Sequence, residues 1–308
     1  MKIAVLSGGV GGARFLRGLT SVVDSREMTI IGNVADDLEI LGLHVSPDLD
    51  SVLYALAGLS DEERGWGRAD ESWNALATVA ELSGDAWFKL GDRDIGLHLV
   101  RTQMLSEGAT LTEATARLVA AYGLGFELLP ATNDPLRTFL ETAAGTFPFQ
   151  TWFVERGHRD EVDAVHYAGA PDATPSPGVV EAIAGAALIV ITPSNPYVSI
   201  GPILAVSAIR DALAARDAPC VAVSPLIGGQ AVKGPADRML TRLAGGTTPA
   251  HVAGCYPGLI DALVYDEADA PAELPQDVRG LVTRTLMSDD GARRRLAQAV
   301  LDAGAAVT

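Results

Sequence analysis

Several residue types are scarce in this chain of 308 residues, and each shortage removes a class of protein. Only two cysteines occur, Cys220 and Cys255, at no metal-ligand spacing. That excludes a disulfide framework or a zinc module, and both are expected as reduced thiols, Cys220 inside a buried strand. His158 and His166 stand alone, without a second histidine at ligand spacing. Basic residues are few: 23 Lys and Arg face 39 Asp and Glu, a formal net charge of -16. Phosphate neutralisation along a nucleic acid needs clustered Lys and Arg, so nucleic acid is excluded as a partner. No run of 18 apolar residues occurs, so no membrane span is expected. The N-terminus enters an apolar run directly, without a signal-like segment, and a cytoplasmic location is expected. There is no internal repeat and no low-complexity linker, so a single unit is expected over 1–308.

What is abundant is glycine, 32 residues, and its first cluster organises the chain. Lys2 to Leu6 is an apolar run of strand length. Ser7-Gly8-Gly9-Val10-Gly11-Gly12 is a glycine turn, and a helix is expected from Ala13 to about Val23. Strand, glycine turn and helix form a platform for phosphate, because the backbone can approach the ligand and the helix N-terminus offers free N–H groups. No Gly-Lys-Ser/Thr follows, so this is not a P-loop. The third position of a dinucleotide fingerprint falls on Arg14, and Asn33 stands where a dehydrogenase often has an acid for the ribose. Both features count against a nicotinamide oxidoreductase.

Met28–Asn33 predicts a second strand, which makes residues 2–33 a βαβ unit. Four carboxylates follow within 15 residues: Asp36, Asp37, Asp48 and Asp50. Asp48 is expected to cap a helix starting near Asp50. The others have no capping task, and the C-terminal rim of a parallel sheet is where open α/β folds bind ligands. Hard oxygen donors there suit Mg2+ bridging phosphate oxygens. Residues 61–94 hold three of the four tryptophans, Trp66, Trp73 and Trp87, either packing a helical insertion or stacking on a flat ring. They end in the charged turn Lys89-Leu90-Gly91-Asp92-Arg93-Asp94. Asp94 is expected to cap a helix from Ile95 to Leu105 that carries His98 and Arg101. The stretch 137–156 alternates as a hairpin, TFLET then FQTWFVER, and its apolar tip near Phe147 to Phe153 is a candidate dimer face. Ala187–Thr192 and Pro219–Ser224 predict buried strands ending in loops rich in Ser, Pro and Gly. Helices are expected over Ile203–Leu213, Ala236–Leu243 and Arg293–Val300, with a late strand over Leu259–Tyr265.

The blocks GGVGGARFL, NVADD, PDLDSVLYAL, RGWGRADESW, KLGDRD, PSNPYVSIGPIL and AVSPLIGGQAVKGPAD occur in this order. Together they resemble the 2-phospho-L-lactate transferase family, whose actinobacterial members are phosphoenolpyruvate transferases, from Met1 to about Asp266. The resemblance implies a Rossmann-like α/β core, about 1–60 and 160–308, with a helical and β-hairpin elaboration at about 61–159, and a homodimer. It implies Mg2+-dependent transfer of a phosphoenolpyruvyl or 2-phospho-L-lactyl group from a GDP-activated donor to the ribityl 5′-hydroxyl of the deazaflavin Fo. GMP leaves, in the making of coenzyme F-420. It also implies site residues: Asp50 and Lys89 as catalytic and deazaflavin-contacting, with Asn33 and Asp37 beside them. Gly8, Gly9, Val10, Gly11, Gly12, Ser194 and Asn195 would lie on the nucleotide side, and Asp36, Asp37, Asp48 and Asp50 near the metal. The Arg-over-Lys composition and RGWGRADESW lean towards the enolpyruvyl donor. The alternative is a non-catalytic nucleotide or nucleotide-sugar binding protein of the same fold.

Overall fold

The computed structural model describes residues 1–84 and 86–307. Its centre is a seven-stranded sheet with every neighbouring pair parallel. The strands are β1 (Ile3–Ser7), β2 (Met28–Gly32), β3 (Glu127–Pro130), β4 (Leu188–Ile191), β5 (Cys220–Val223), β6 (Ala262–Asp266) and β7 (Arg279–Thr283). Their spatial order is β7-β6-β5-β4-β1-β2-β3. β1, β4, β5 and β6 are buried at every position, which explains their continuous apolar runs. Alternate residues serve opposite faces. Ala4, Leu6, Ile189 and Ile191 enter one core, and Ile3, Val5, Leu188 and Val190 the other. Burying one such side chain stabilises the fold by about 1.5–3 kcal/mol. The second core is closed by α1 (Gly9–Leu19), α2 (Pro47–Leu56) and the C-terminal helix Asp290–Val307. Cys220 is buried and both cysteines are free thiols. Among the described residues no single helix is long and apolar enough to cross a membrane.

Three more helices, α3 (Asn74–Ser83), α4 (Asp92–Ser106) and α5 (Leu111–Ala121), are inserted between β2 and β3. The span 61–159 is therefore not all elaboration, because it contains β3, a strand of the central sheet. A separate antiparallel sheet joins Gly145–Pro148, Arg137–Thr142 and Val162–Ala168 in that order. Its hairpin turns earlier than the alternation suggests, since Thr142 pairs with Gly145 and donates through Oγ1 to the Gly145 carbonyl at 2.9 Å. The expected return strand FQTWFVER thus falls past the sheet, and Thr151–Glu155 forms a π-helical turn. Phe149 and Trp152 lie in a core with Leu140 and Val162, while Phe147 and Phe153 are half-buried and Pro148 is exposed, so only part of the expected dimer face is interior. The helix expected over Ile203–Leu213 breaks at Val206, whose extended backbone separates Gly201–Ala205 from Ser207–Ala214.

Candidate active site

β1 lies between β2 and β4, and the direction in which successive strands are added reverses between β1 and β4. That is the switch point where open α/β sheets bind ligands beyond the strands' C-terminal ends. The loops after these two strands carry the glycine turn and Ser194. They pack so closely that side chains are excluded. A Cβ on Gly12 would stand 2.8 Å from both Ser194 Oγ and Thr192 Oγ1, and one on Gly11 2.7 Å from the Pro193 carbonyl. Ser194 donates to the Gly8 carbonyl at 2.6 Å and so ties the loops together. Gly9 takes φ +68, a backbone that glycine adopts freely. Asn195 accepts from the Tyr197 amide at 2.9 Å and caps the turn Pro196–Ile200, so its carbonyl oxygen is committed to that turn.

The carboxylates gather on the other flank of the glycine turn. α2 begins at Pro47, a residue preorganised for a first helical position. Asp48 and Asp50 therefore lie inside the first turn, and Asp48 is not the expected cap. Asp48 instead faces the glycine turn: a Cβ on Gly8 would stand 2.7 Å from its Oδ2. Asn33 donates to Asp48 Oδ2 at 2.9 Å and to the Val198 carbonyl, and accepts from the Ala35 amide. Asn33 is fully buried with its amide group engaged, so it positions Asp48 and offers no free group to a substrate. Asp37 Oδ2 is held by His44 at 3.0 Å and by Ser46 Oγ at 2.8 Å. Asp36 Oδ1 and Asp37 Oδ1 are buried without a hydrogen-bond partner. Burial pushes Asp36 well above the usual carboxylate range, and the Asp48 charge adds to it. Burial likewise raises Asp48 to about 6, with Asp37 and Asp50 adding repulsion, while Asn33 and the Gly9 amide pull the other way.

Asp50 has a different environment. It makes a bidentate ion pair with the Arg101 guanidinium, Nη1 at 3.0 Å and Nη2 closer still. Both residues are buried. Burial alone would lower the Arg101 pKa, but the charge and hydrogen bonds of Asp50 outweigh it and hold it above its ordinary value. Asp50, expected among the metal ligands, thus has both oxygens on Arg101. His98 lies 3.3 Å from Asp94 by its Nε2, and Tyr54 donates to Asp94. Asp94 is accordingly a buried network member and not the cap of α4. The sequence left this network out of the site. Its signal was the set Asp94, His98 and Arg101, at helical spacing and opposite the acids of α2.

Lys89 stands apart. It is exposed, and among the described residues no hydrogen bond or ion pair links it to Asp50. It lines a groove of about 370 Å3 with Arg64, Trp66, Trp73, Leu76 and Ala80. The Trp66 and Trp73 rings meet edge to face at 6.5 Å, and the Arg64 guanidinium lies 4.8 and 5.0 Å from their centroids. The Lys89 loop is clipped from both ends. Asp92 accepts from the Asn74 and Ala75 amides at the start of α3. In return Glu71 accepts from the Arg93 and Asp94 amides at the start of α4. Each helix is thus capped by the segment leading to the other, which binds RGWGRADESW to KLGDRD.

Asp36, Asp37 and Asp48 are the donors a divalent cation would draw on. Asp36 and Asp37 each keep an orphaned buried oxygen. Burial first, then neighbouring carboxylates, raises Asp36 and Asp48. Among the described residues no three acids, His or Cys form a group that could hold a metal by themselves, so a cation here would take one or two carboxylates and fill its shell with phosphate and water, as magnesium does.

Fold and site together define a Rossmann-like α/β protein with a glycine turn and a cluster of buried acids at its switch point. Comparison with known proteins gives the family. The model of the 2-phospho-L-lactate transferase CofD family matches residues 3–303, and the chain belongs to that family. It is 44% identical over 311 residues to a phosphoenolpyruvate transferase from Kitasatospora aureofaciens, covering 98% of this chain and 97% of that one. It is 38% identical over 323 residues to a phosphoenolpyruvate transferase from Mycolicibacterium smegmatis, covering 98% of each. Among solved structures, a UPF0052-family protein from Bacillus halodurans shares the fold, with TM-score 0.64 and 20% identity over 97% of this chain and 99% of that one.

Proposed function

We propose that this transferase moves a phosphoenolpyruvyl group from a guanosine diphosphate-linked donor to the ribityl 5′-hydroxyl of the deazaflavin Fo, in coenzyme F-420 biosynthesis. The observation that carries this reading is Asp48 facing the glycine turn at the switch point, with the orphaned acids Asp36 and Asp37 charge-coupled to it. A phosphate platform facing bare carboxylates needs a cation between them. Mg2+ held by Asp36, Asp37 and Asp48 would supply that neutralisation.

The chain's own residues divide the remaining work. The glycine turn holds the diphosphate on backbone amides. Arg101 fixes Asp50 in one orientation, from which Asp50 accepts the ribityl hydroxyl's hydrogen bond. Asn33 keeps Asp48 turned towards the glycine turn. The tryptophan groove takes the flat deazaflavin, with Lys89 at its rim. Transfer to an alkoxide needs positioning and charge neutralisation more than covalent help. The new P–O bond forms to the ribityl oxygen, the P–O bond to GMP breaks, and the hydroxyl proton is lost.

The test is a single-turnover assay with Fo, magnesium and each guanosine-linked donor in turn, read by mass spectrometry. An enolpyruvyl phosphodiester with released GMP is expected. Product from the lactyl donor alone would keep the reaction and change the donor. No product from either, with guanine nucleotide still bound, would replace the enzyme with a binding protein. A phosphorylated or guanylylated chain trapped with donor alone would overturn the direct transfer.

A further inference from the structure

Among the described residues, two cations near the glycine turn have no ion-pair partner. Arg14 lies on α1, one turn past Val10, on the face turned to α2. Lys233 lies in the loop between β5 and the helix Ala236–Ala244. They converge on Gly65, in the loop that follows α2. A Cβ on Gly65 would overlap Lys233 Nζ and stand 3.5 Å from an Arg14 Nη. Gly65 is buried and has φ +76, so the close approach of Lys233 relies on glycine there. Three segments distant in sequence thus bring two positive side chains to one point.

Acidic residues are close by but already engaged. Arg14 shares a small crevice with Ser51, Asp61, Glu62, Gly65 and Trp66. Asp61 is bonded to Arg64 at 2.6 Å. Glu62 is bonded to Arg17 at 2.7 Å and to Arg293 at 2.6 Å. Among the described residues neither Arg14 nor Lys233 has an ion pair. What sets Arg14 and Lys233 apart from the other cations is that both converge on the backbone of Gly65. Like charges held together repel, and an anion seated between them removes that cost.

We propose that Arg14 and Lys233 form a phosphate clamp. It draws the loop 61–70 and the loop 228–235 together over the glycine turn and grips the diphosphate of the nucleotide donor. This rests on the donor assigned above. The ligand chemistry is a diphosphate: two charged phosphates offer each cation its own oxygens, and the platform amides take the rest. Trp66 lines both the crevice beside Arg14 and the groove of Lys89, so the proposed donor and acceptor sites share one loop.

The test is calorimetric titration of the full chain, magnesium present, with pyrophosphate, GDP and guanosine. The variants are Lys233→Met, Lys233→Arg, Arg14→Gln and Gly65→Ala. Loss of either cation is expected to weaken GDP and pyrophosphate by about tenfold, the scale of a hydrogen bond to a charged group. Guanosine should change less than about twofold and Lys233→Arg should retain most of the affinity, since it keeps the charge. Thermal melts of Lys233→Met, at an exposed site, should match the parent. GDP binding to the Lys233 and Arg14 variants as tightly as to the parent overturns the clamp and leaves the donor assignment standing. Pyrophosphate binding that needs both cations, without preference for GDP, supports the clamp and overturns the guanosine donor. No binding of pyrophosphate or GDP to the parent overturns both.

Discussion

Two buried acids, Asp48 and Asp50, lie within one turn of each other on α2, each at the head of a group of polar partners, and their fates differ. Asp50 points to Arg101, and the ion pair continues into a shell of His98, Asp94 and Tyr54. Asp48 points to the glycine turn, and with Asp36 and Asp37 it finds only neutral donors and one histidine. The first group is internally compensated and can be read as architecture that orients one carboxylate. The second is buried and incomplete, with no cation among its partners in the described residues, and ionising it costs stability until something supplies the missing charge. Burial alone therefore does not separate structural from functional acids; the presence of a counter-charge does.

The largest expected effect lies in the compensated group. Arg101→Met leaves Asp50 buried without its partner and should cost about 3–5 kcal/mol in urea unfolding. A loss near zero would mean Asp50 is not held by this pair. The incomplete group should respond with the opposite sign. The folded-state pKa of Asp48 is raised to about 6 from 3.8, so its ionised form destabilises the fold at neutral pH. Asp48→Asn should stabilise by about 1–3 kcal/mol at pH 7.5 while abolishing turnover. The gain should fade as pH falls through 6 towards 4, where the folded parent binds the proton that its unfolded chain still lacks. Thermal melts of both proteins across that range decide it, and a gain that grows on acidification breaks the comparison. Magnesium should imitate the substitution: at ten times its Kd it should stabilise the parent by about 1.4 kcal/mol. The same titration of an Asp36→Asn, Asp48→Asn chain should be flat. The smallest effect is expected at the reciprocal caps. Asp92→Ala should cost about 1 kcal/mol and raise hydrogen exchange in the first turn of α3.

Much of this was legible in the sequence, for physical reasons. Strands buried on both faces show as unbroken apolar runs, so β1, β2, β4 and β5 were found nearly to the residue. The glycine turn and the four acids were legible because few structural tasks call for that pattern. The π-helical turn at Thr151–Glu155 was missed because alternation masked a helical signal: Phe149, Trp152 and Phe153 are spaced i, i+3, i+4. The contacts of Asn33 were hidden because its partners, Asp48 of α2 and the Val198 carbonyl of the turn Pro196–Ile200, are remote in sequence. His98 and Arg101 were placed on the right helix but given no role, because their partners are remote in sequence; Arg101 is 51 residues from Asp50. Lys89 and Asp50 were expected together, and the fold places them in separate surroundings joined by the clipped loop.

The pairing of β1 with β4 sets Ile3 opposite Leu188. The two halves of the phosphate platform are thus made far apart in time. At a synthesis rate of ~5–20 residues per second, the glycine turn waits roughly 10–40 s on the ribosome for its partner loop. Through that interval β1 is paired at most on the β2 side, and its other edge presents bare amide and carbonyl groups on an apolar strand. The chain's exposure to aggregation and to chaperones is therefore greatest before its active site exists, and it is set by topology at the switch point that later binds the substrate.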